Sequence, residues 1–184
     1  MTLQLLSLTM LAALLLLAAA SDVRSRRIPN MLVVYGMSLA LCFHGLAPSG
    51  TELFPSSTSG LVPALAGGLT GLALFLPLYI LRTLGAGDVK LLAMVGTWLG
   101  TQGVLYAAFW TLLAGGVLAL GMAMATGVLR QVGRNMARLL GSMAMRAGSA
   151  GLLLQPKAQT TGRLPYAVAI AIGTTVELIR LLSV

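Results

Sequence analysis

The 184-residue sequence predicts an all-α, polytopic membrane protein with about six transmembrane helices, and three observations predict it. Of its residues 58% are hydrophobic and 9% charged, the composition of a membrane domain. The apolar residues run in long blocks, not at the spacing of an amphipathic soluble core. Finally, the basic residues alternate between connections, which is the signature of a chain threaded back and forth across a bilayer.

A hydrocarbon core about 30 Å thick takes roughly 20 apolar residues per helix, so this length accommodates about six spans and no separate soluble domain. The blocks place them at residues 2–20, 30–47, 61–81, 89–101, 104–128 and 165–182. The first block, ending in Ala18, Ala19, Ala20 and Ser21, has the outline of a cleavable signal. Its positive charges follow it as Arg24, Arg26 and Arg27, whereas a secretory signal carries them in front. It is therefore read as a first span entering from outside.

The connections at 21–29, 82–90 and 129–164 carry eleven of the twelve Lys and Arg residues. The connection at 48–60 carries none, and the turn near Gly100 to Gly103 is uncharged. The basic connections are thus expected in the cytoplasm and both termini on the outer side. Arg180 is the exception, and Glu177 three residues earlier is its helix-face partner.

Within the single domain spanning 1–184, the connection 129–164 contains Arg130, Arg134 and Arg138 at four-residue spacing, with Val132, Met136, Leu139, Leu140 and Met143 between them. That pattern predicts an amphipathic helix on the membrane surface, its arginines facing lipid headgroups and favouring anionic lipid as a partner. The net charge of +8 does not point to nucleic acid, because no aromatic residues interleave the basic clusters. The lone Cys42 excludes a disulfide framework and a cysteine-based metal centre.

Only four residues are acidic: Asp22, Glu52, Asp88 and Glu177. Asp22 and Asp88 both fall at a junction between an apolar block and a cytoplasmic connection, where they can meet. An ionisable group at a membrane boundary is costly to retain, which makes it a functional candidate. Two carboxylates a few ångströms apart do not readily both ionise, so one keeps a proton and the pair holds an acid and a base together. Such a pair hydrolyses a peptide bond without metal or cofactor: the ionised member takes a proton from water, and the protonated member hydrogen-bonds the developing oxyanion.

Around Asp88 the chain reads Leu84, Gly85, Ala86, Gly87, Asp88, Val89, Lys90. The glycines permit turns closed to other residues and close approach of a substrate strand, and Lys90 can reach toward the cytoplasmic surface. Around Asp22 it reads Asp22, Val23, Arg24, Ser25, Arg26, Arg27, Ile28, Pro29, Asn30, with Pro29 suited to the first turn of the second span. Pro165 and Tyr166 open the sixth span in the same way. His44, Trp98, Trp110 and the span glycines are read as interface or packing residues.

Gly85, Gly87, Asp88 and Lys90 resemble the glycine, any, glycine, aspartate, any, lysine motif of the type IV prepilin peptidases. Asp22 with Ile28, Pro29 and Asn30 resembles that family's first aspartate motif, and Pro165 and Tyr166 resemble its entry to a late span. The resemblance implies an intramembrane aspartic peptidase of the inner membrane, with Asp22 and Asp88 as the catalytic pair. Its substrates would be prepilin-like precursors, cleaved at the cytoplasmic face. Long members of the family carry an additional region with paired Cys-x-x-Cys motifs and also methylate the new N-terminus. The one cysteine here implies a peptidase-only form, similar to those serving tight-adherence (Flp) pili. The rival expectation, from a different class, is a small ion- or proton-coupled transporter using the same two aspartates. Against it stands their position at cytoplasmic ends and not at the bilayer midplane.

Overall fold

The computed structural model describes residues 2–46, 60–81, 83–125 and 166–182, and these are almost wholly helical. The helices are α1 (Thr2–Ser25), α2 (Asn30–Leu46), α3 (Leu61–Ile80), α4 (Ala86–Ala125) and α5 (Tyr166–Leu182). The chain divides into two compact units, Met1–Gly115 with Pro165–Val184, and Gly116–Leu164. Of the second unit only 116–125, the end of α4, is described. The expected surface helix within 129–164 lies outside the described residues, as do Pro165 and Glu52.

Three of these helices are long and apolar enough to cross a membrane: Leu5–Ser25 within α1, Leu61–Ile80, and Ala86–Met122 within α4. The helix α2 is apolar but shorter. The expected fourth and fifth spans appear as one assigned helix whose geometry breaks at Gly100, where φ is 70° and ψ −176°. A positive φ is cheap for glycine alone. The break folds the helix back on itself. A Cβ placed on Gly71 of α3 would contact both the Leu92 carbonyl and the Val104 side chain, positions that a continuous helix would hold about 18 Å apart.

Two helix ends differ from expectation in a way that matters for chemistry. The first helix runs through Ser25, so Asp22 is helical and not in a connection. Ser25 Oγ donates to the Ser21 carbonyl at 2.8 Å, and Ser21 Oγ donates to the Arg27 carbonyl at 2.9 Å, which ties down the exit of the helix. Arg26, at φ 52°, takes the left-handed turn that closes it, and its amide donates to the Asp22 carbonyl at 2.8 Å. The fourth helix begins at Ala86, three residues earlier than the apolar pattern suggests, because Asp88 caps it.

The core is built where small residues let backbones approach. Gly67 of α3 and Gly96 of α4 each pack against the other's carbonyl so closely that a side chain on either would collide, the packing expected where helices associate without a hydrophobic drive between them. Phe75, Leu91, Leu92, Met94, Val95, Trp98 and Ile170 are fully or almost fully buried there. Trp98 Nε1 donates to the Gly36 carbonyl at 3.1 Å, so this indole serves packing and not an interfacial belt. His44 Nε2 lies 3.3 Å from the Trp98 carbonyl and ties α2 to α4.

Candidate active site

Both motif aspartates are buried, Asp22 at 7% and Asp88 at 9% exposure, and the fold brings them within electrostatic range of each other. They approach from opposite kinds of helix end. Asp88 occupies the first turn of α4, where a negative charge is favoured by the amide dipoles, whereas Asp22 occupies the last turn of α1, where it is opposed.

Each carboxylate is fixed by one backbone amide. Asp88 Oδ2 accepts from the Gly85 amide at 3.0 Å, while the Asp88 amide donates to the Gly85 carbonyl at 3.1 Å. This is the side-chain half of a capping box, with the acid three residues past the cap. Asp22 Oδ2 accepts from the Ala167 amide at 3.0 Å, one of the donors that the start of α5 leaves without an intrahelical partner. In both aspartates Oδ1 makes no hydrogen bond among the described residues.

The two motifs touch at two further points. Lys90 Nζ donates to Asn30 Oδ1 at 3.2 Å, so Lys90 crosses to the other motif instead of reaching only toward the aqueous surface. A Cβ on Gly87 would lie 3.3 Å from that of Ile28, so the glycine loop closes on the residue before Pro29. Pro29 stands one residue ahead of α2 and not within its first turn, and its carbonyl accepts from the Leu32 amide at 3.1 Å.

These contacts revise why the glycines are there. Among the described residues positive φ occurs only at Arg26, Gly60 and Gly100, so Gly85 and Gly87 do not adopt turns closed to other residues. What they supply is room. Gly87 sits inside the first turn of α4 against Ile28, and a side chain on Gly85 would lie 3.2 Å from the Asp88 carboxylate.

Tyr166 forms a third wall. Its ring packs edge-on against Phe75 with centroids 6.0 Å apart, and its hydroxyl is within electrostatic range of Asp88. Gly115 makes its place: a Cβ there would lie 2.8 Å from Cε2 of the ring and 2.9 Å from the hydroxyl oxygen. The Gly115 and Ala167 contacts are absent from the sequence reading. A backbone amide carries no residue identity, and Gly115 looks like any other span glycine until its aromatic partner is known. No group of three or more His, Cys, Asp or Glu residues able to hold a metal occurs among the described residues.

The sequence matches the type IV leader peptidase family over residues 9–120, a stretch that contains Asp22, Asp88 and both motif loops. Over 97 residues it is 33% identical to a prepilin leader peptidase/N-methyltransferase of Klebsiella pneumoniae, covering 51% of this chain and 40% of that protein. The chain thus spans well under two thirds of that relative's length. No solved structure matches it at the same stringency.

Proposed function

The chain belongs to the type IV leader peptidase family, and we propose that it is a membrane aspartic endopeptidase that removes the leader of prepilin-like precursors at the cytoplasmic face of the inner membrane. Asp22 and Asp88 are its catalytic pair. The observation that carries this reading is their convergence from helix ends 66 positions apart in sequence, each buried and each with one oxygen tied to a backbone amide.

The fixed Oδ2 atoms orient the two carboxyls, and the open Oδ1 atoms face the reacting groups. One proton is shared by the pair. The ionised member removes a proton from water as the water oxygen bonds to the scissile carbonyl carbon, and the protonated member donates to the carbonyl oxygen as it gains charge. Collapse of the tetrahedral intermediate breaks the C–N bond. A carboxyl proton passes to the departing nitrogen, and the pair is left with the single proton it began with. The roles belong to the pair, since coupled carboxyls titrate together. Nothing in this chemistry transfers a methyl group, so the proposal is confined to cleavage.

The fold reading that accompanies this is a six-span domain: α1, α2, α3, the two arms of α4 on either side of Gly100, and α5. Both termini lie outside, and the basic connections lie on the cytoplasmic side. Purified protein incubated in detergent with a synthetic pilin precursor tests the function: the reading expects one cut after the basic leader, insensitive to chelators. Intact precursor under conditions where the protein remains folded would refute it.

A further inference from the structure

A second polar cluster lies away from the aspartates. Glu177 of α5 is fully buried. Its Oε2 is 3.5 Å from Arg180 Nη1, whose guanidinium carbon lies 4.3 Å from the centre of the Tyr106 ring in the second arm of α4. Glu177 also faces the indole N–H of Trp110, one turn along that arm from Tyr106. One turn before Glu177, the buried hydroxyl of Thr174 is on the same side of α5. Apart from the ion pair, the Glu177 oxygens, Thr174 Oγ1 and Trp110 Nε1 make no well-formed hydrogen bond among the described residues.

An acid so placed is poorly explained by stability. Burying the Glu177 carboxylate opposes folding, and its ion pair with the half-exposed Arg180 offsets only part of that cost. In a membrane helix such a group is a functional candidate by default. What it can supply is position. Between Glu177 and the start of α5 the contact with α4 is made through glycines: Gly173 lies against the Thr111 backbone, and the Tyr166 ring is seated at Gly115. Contacts this close couple the two helices, so a displacement of α5 along α4 carries the Tyr166 ring with it. Glu177 is ten residues from Ala167, about 15 Å along a rigid helix, so any slip at one end appears undiminished at the other. That other end carries the amide that holds Asp22.

We propose that Glu177 is a positioning residue: by pairing with Arg180, which lies over the Tyr106 ring, and by facing the Trp110 indole, it fixes the register of α5 on the second arm of α4, and so fixes the Ala167 amide on Asp22 and Tyr166 beside Asp88. The proposal rests on the reading of Asp22 and Asp88 as the catalytic pair. It requires that the effect of Glu177 appear in turnover and not in substrate binding, since no part of the cluster is at the dyad.

The test is steady-state cleavage of a pilin precursor by purified Glu177→Leu, Glu177→Gln and Trp110→Phe proteins, with rates normalised to folded protein by circular dichroism. Glu177→Leu is expected to lower kcat by about tenfold or more with KM within about twofold, since displacements near 1 Å at a catalytic group carry costs of this size. Glu177→Gln keeps the length and the acceptor, and should retain most of kcat. Trp110→Phe should fall between the two, and decides the matter if Glu177→Leu does not accumulate. Parental kcat in folded Glu177→Leu or Trp110→Phe overturns the proposal, as does a loss confined to the yield of folded protein. Asp22→Asn and Asp88→Asn proteins run alongside separate the two readings: activity in those refutes the dyad, whereas inactivity in those with full activity in Glu177→Leu refutes only the latch.

Discussion

The amide of Ala167 donates to Asp22 Oδ2 at 3.0 Å, joining the start of the last described helix to the end of the first across 145 positions of sequence. Asp22 sits where its own helix opposes a negative charge, and α5 supplies the amide and the favourable dipole end that α1 does not. If this bond orients the carboxyl, removing the donor without changing the side chain should slow cleavage. Replacing Ala167 by lactic acid turns the amide into an ester with the same methyl group. A hydrogen bond to a charged group is worth about 1.5–3 kcal/mol, so kcat should fall on the order of 10- to 100-fold. Single-turnover cleavage by the ester protein measures this, and an unchanged rate would mean that Asp22 is held by other means.

The bond from Lys90 to Asn30 joins the two motifs at an exposed edge of the site. Bonds at such positions contribute little, and a double-mutant cycle should give a coupling of about 0.2–1 kcal/mol. Lys90→Met and Asn30→Ala are each expected to lower kcat/KM by less than about tenfold, with the double variant losing less than the product of the two. Fully independent effects would show that the contact does not join the loops during catalysis.

Much of this arrangement was legible in the sequence because charge and hydropathy carry it. The helices at 30–46, 61–80 and 166–182 fall within a residue or so of the apolar blocks, and Asp22 and Asp88 come within electrostatic range of each other. What was hidden depends on partners. The apolar pattern could not show that α1 continues to Ser25 or that α4 begins at Ala86, since those turns are fixed by Ser21, Ser25 and the Asp88 cap. Nor could it show that Glu177 is fully buried, because an acid three residues before Arg180 reads equally well as a solvated ion pair at a membrane edge. The glycines were recognised as close-packing residues, yet only the packed structure distinguishes Gly115, which makes room for Tyr166, from Gly116, where a Cβ would meet nothing within 4 Å among the described residues.

That distinction gives a paired test. Gly115→Ala places a methyl group 2.8 Å from the Tyr166 ring, and overpacking of this kind costs about 1–3 kcal/mol. The ring must move, and with it the wall beside Asp88. Thermal unfolding in detergent should show a lowered midpoint for Gly115→Ala together with reduced cleavage, while Gly116→Ala should match the parent in both. Equal behaviour of the two variants would remove Tyr166 from the site.

The most direct test of the account is cleavage by Asp22→Asn and Asp88→Asn proteins, since asparagine retains an oxygen able to accept the Ala167 or Gly85 amide but loses the charge and the ability to exchange a proton. Single-turnover rates on a synthetic pilin precursor, at matched amounts of folded protein, should fall by about 10²–10⁴ or more for each variant, the contribution of a positioned acid or base. Cleavage within about tenfold of the parent in either variant, a loss smaller than a positioned acid or base contributes, would contradict the assignment of Asp22 and Asp88 as the catalytic pair.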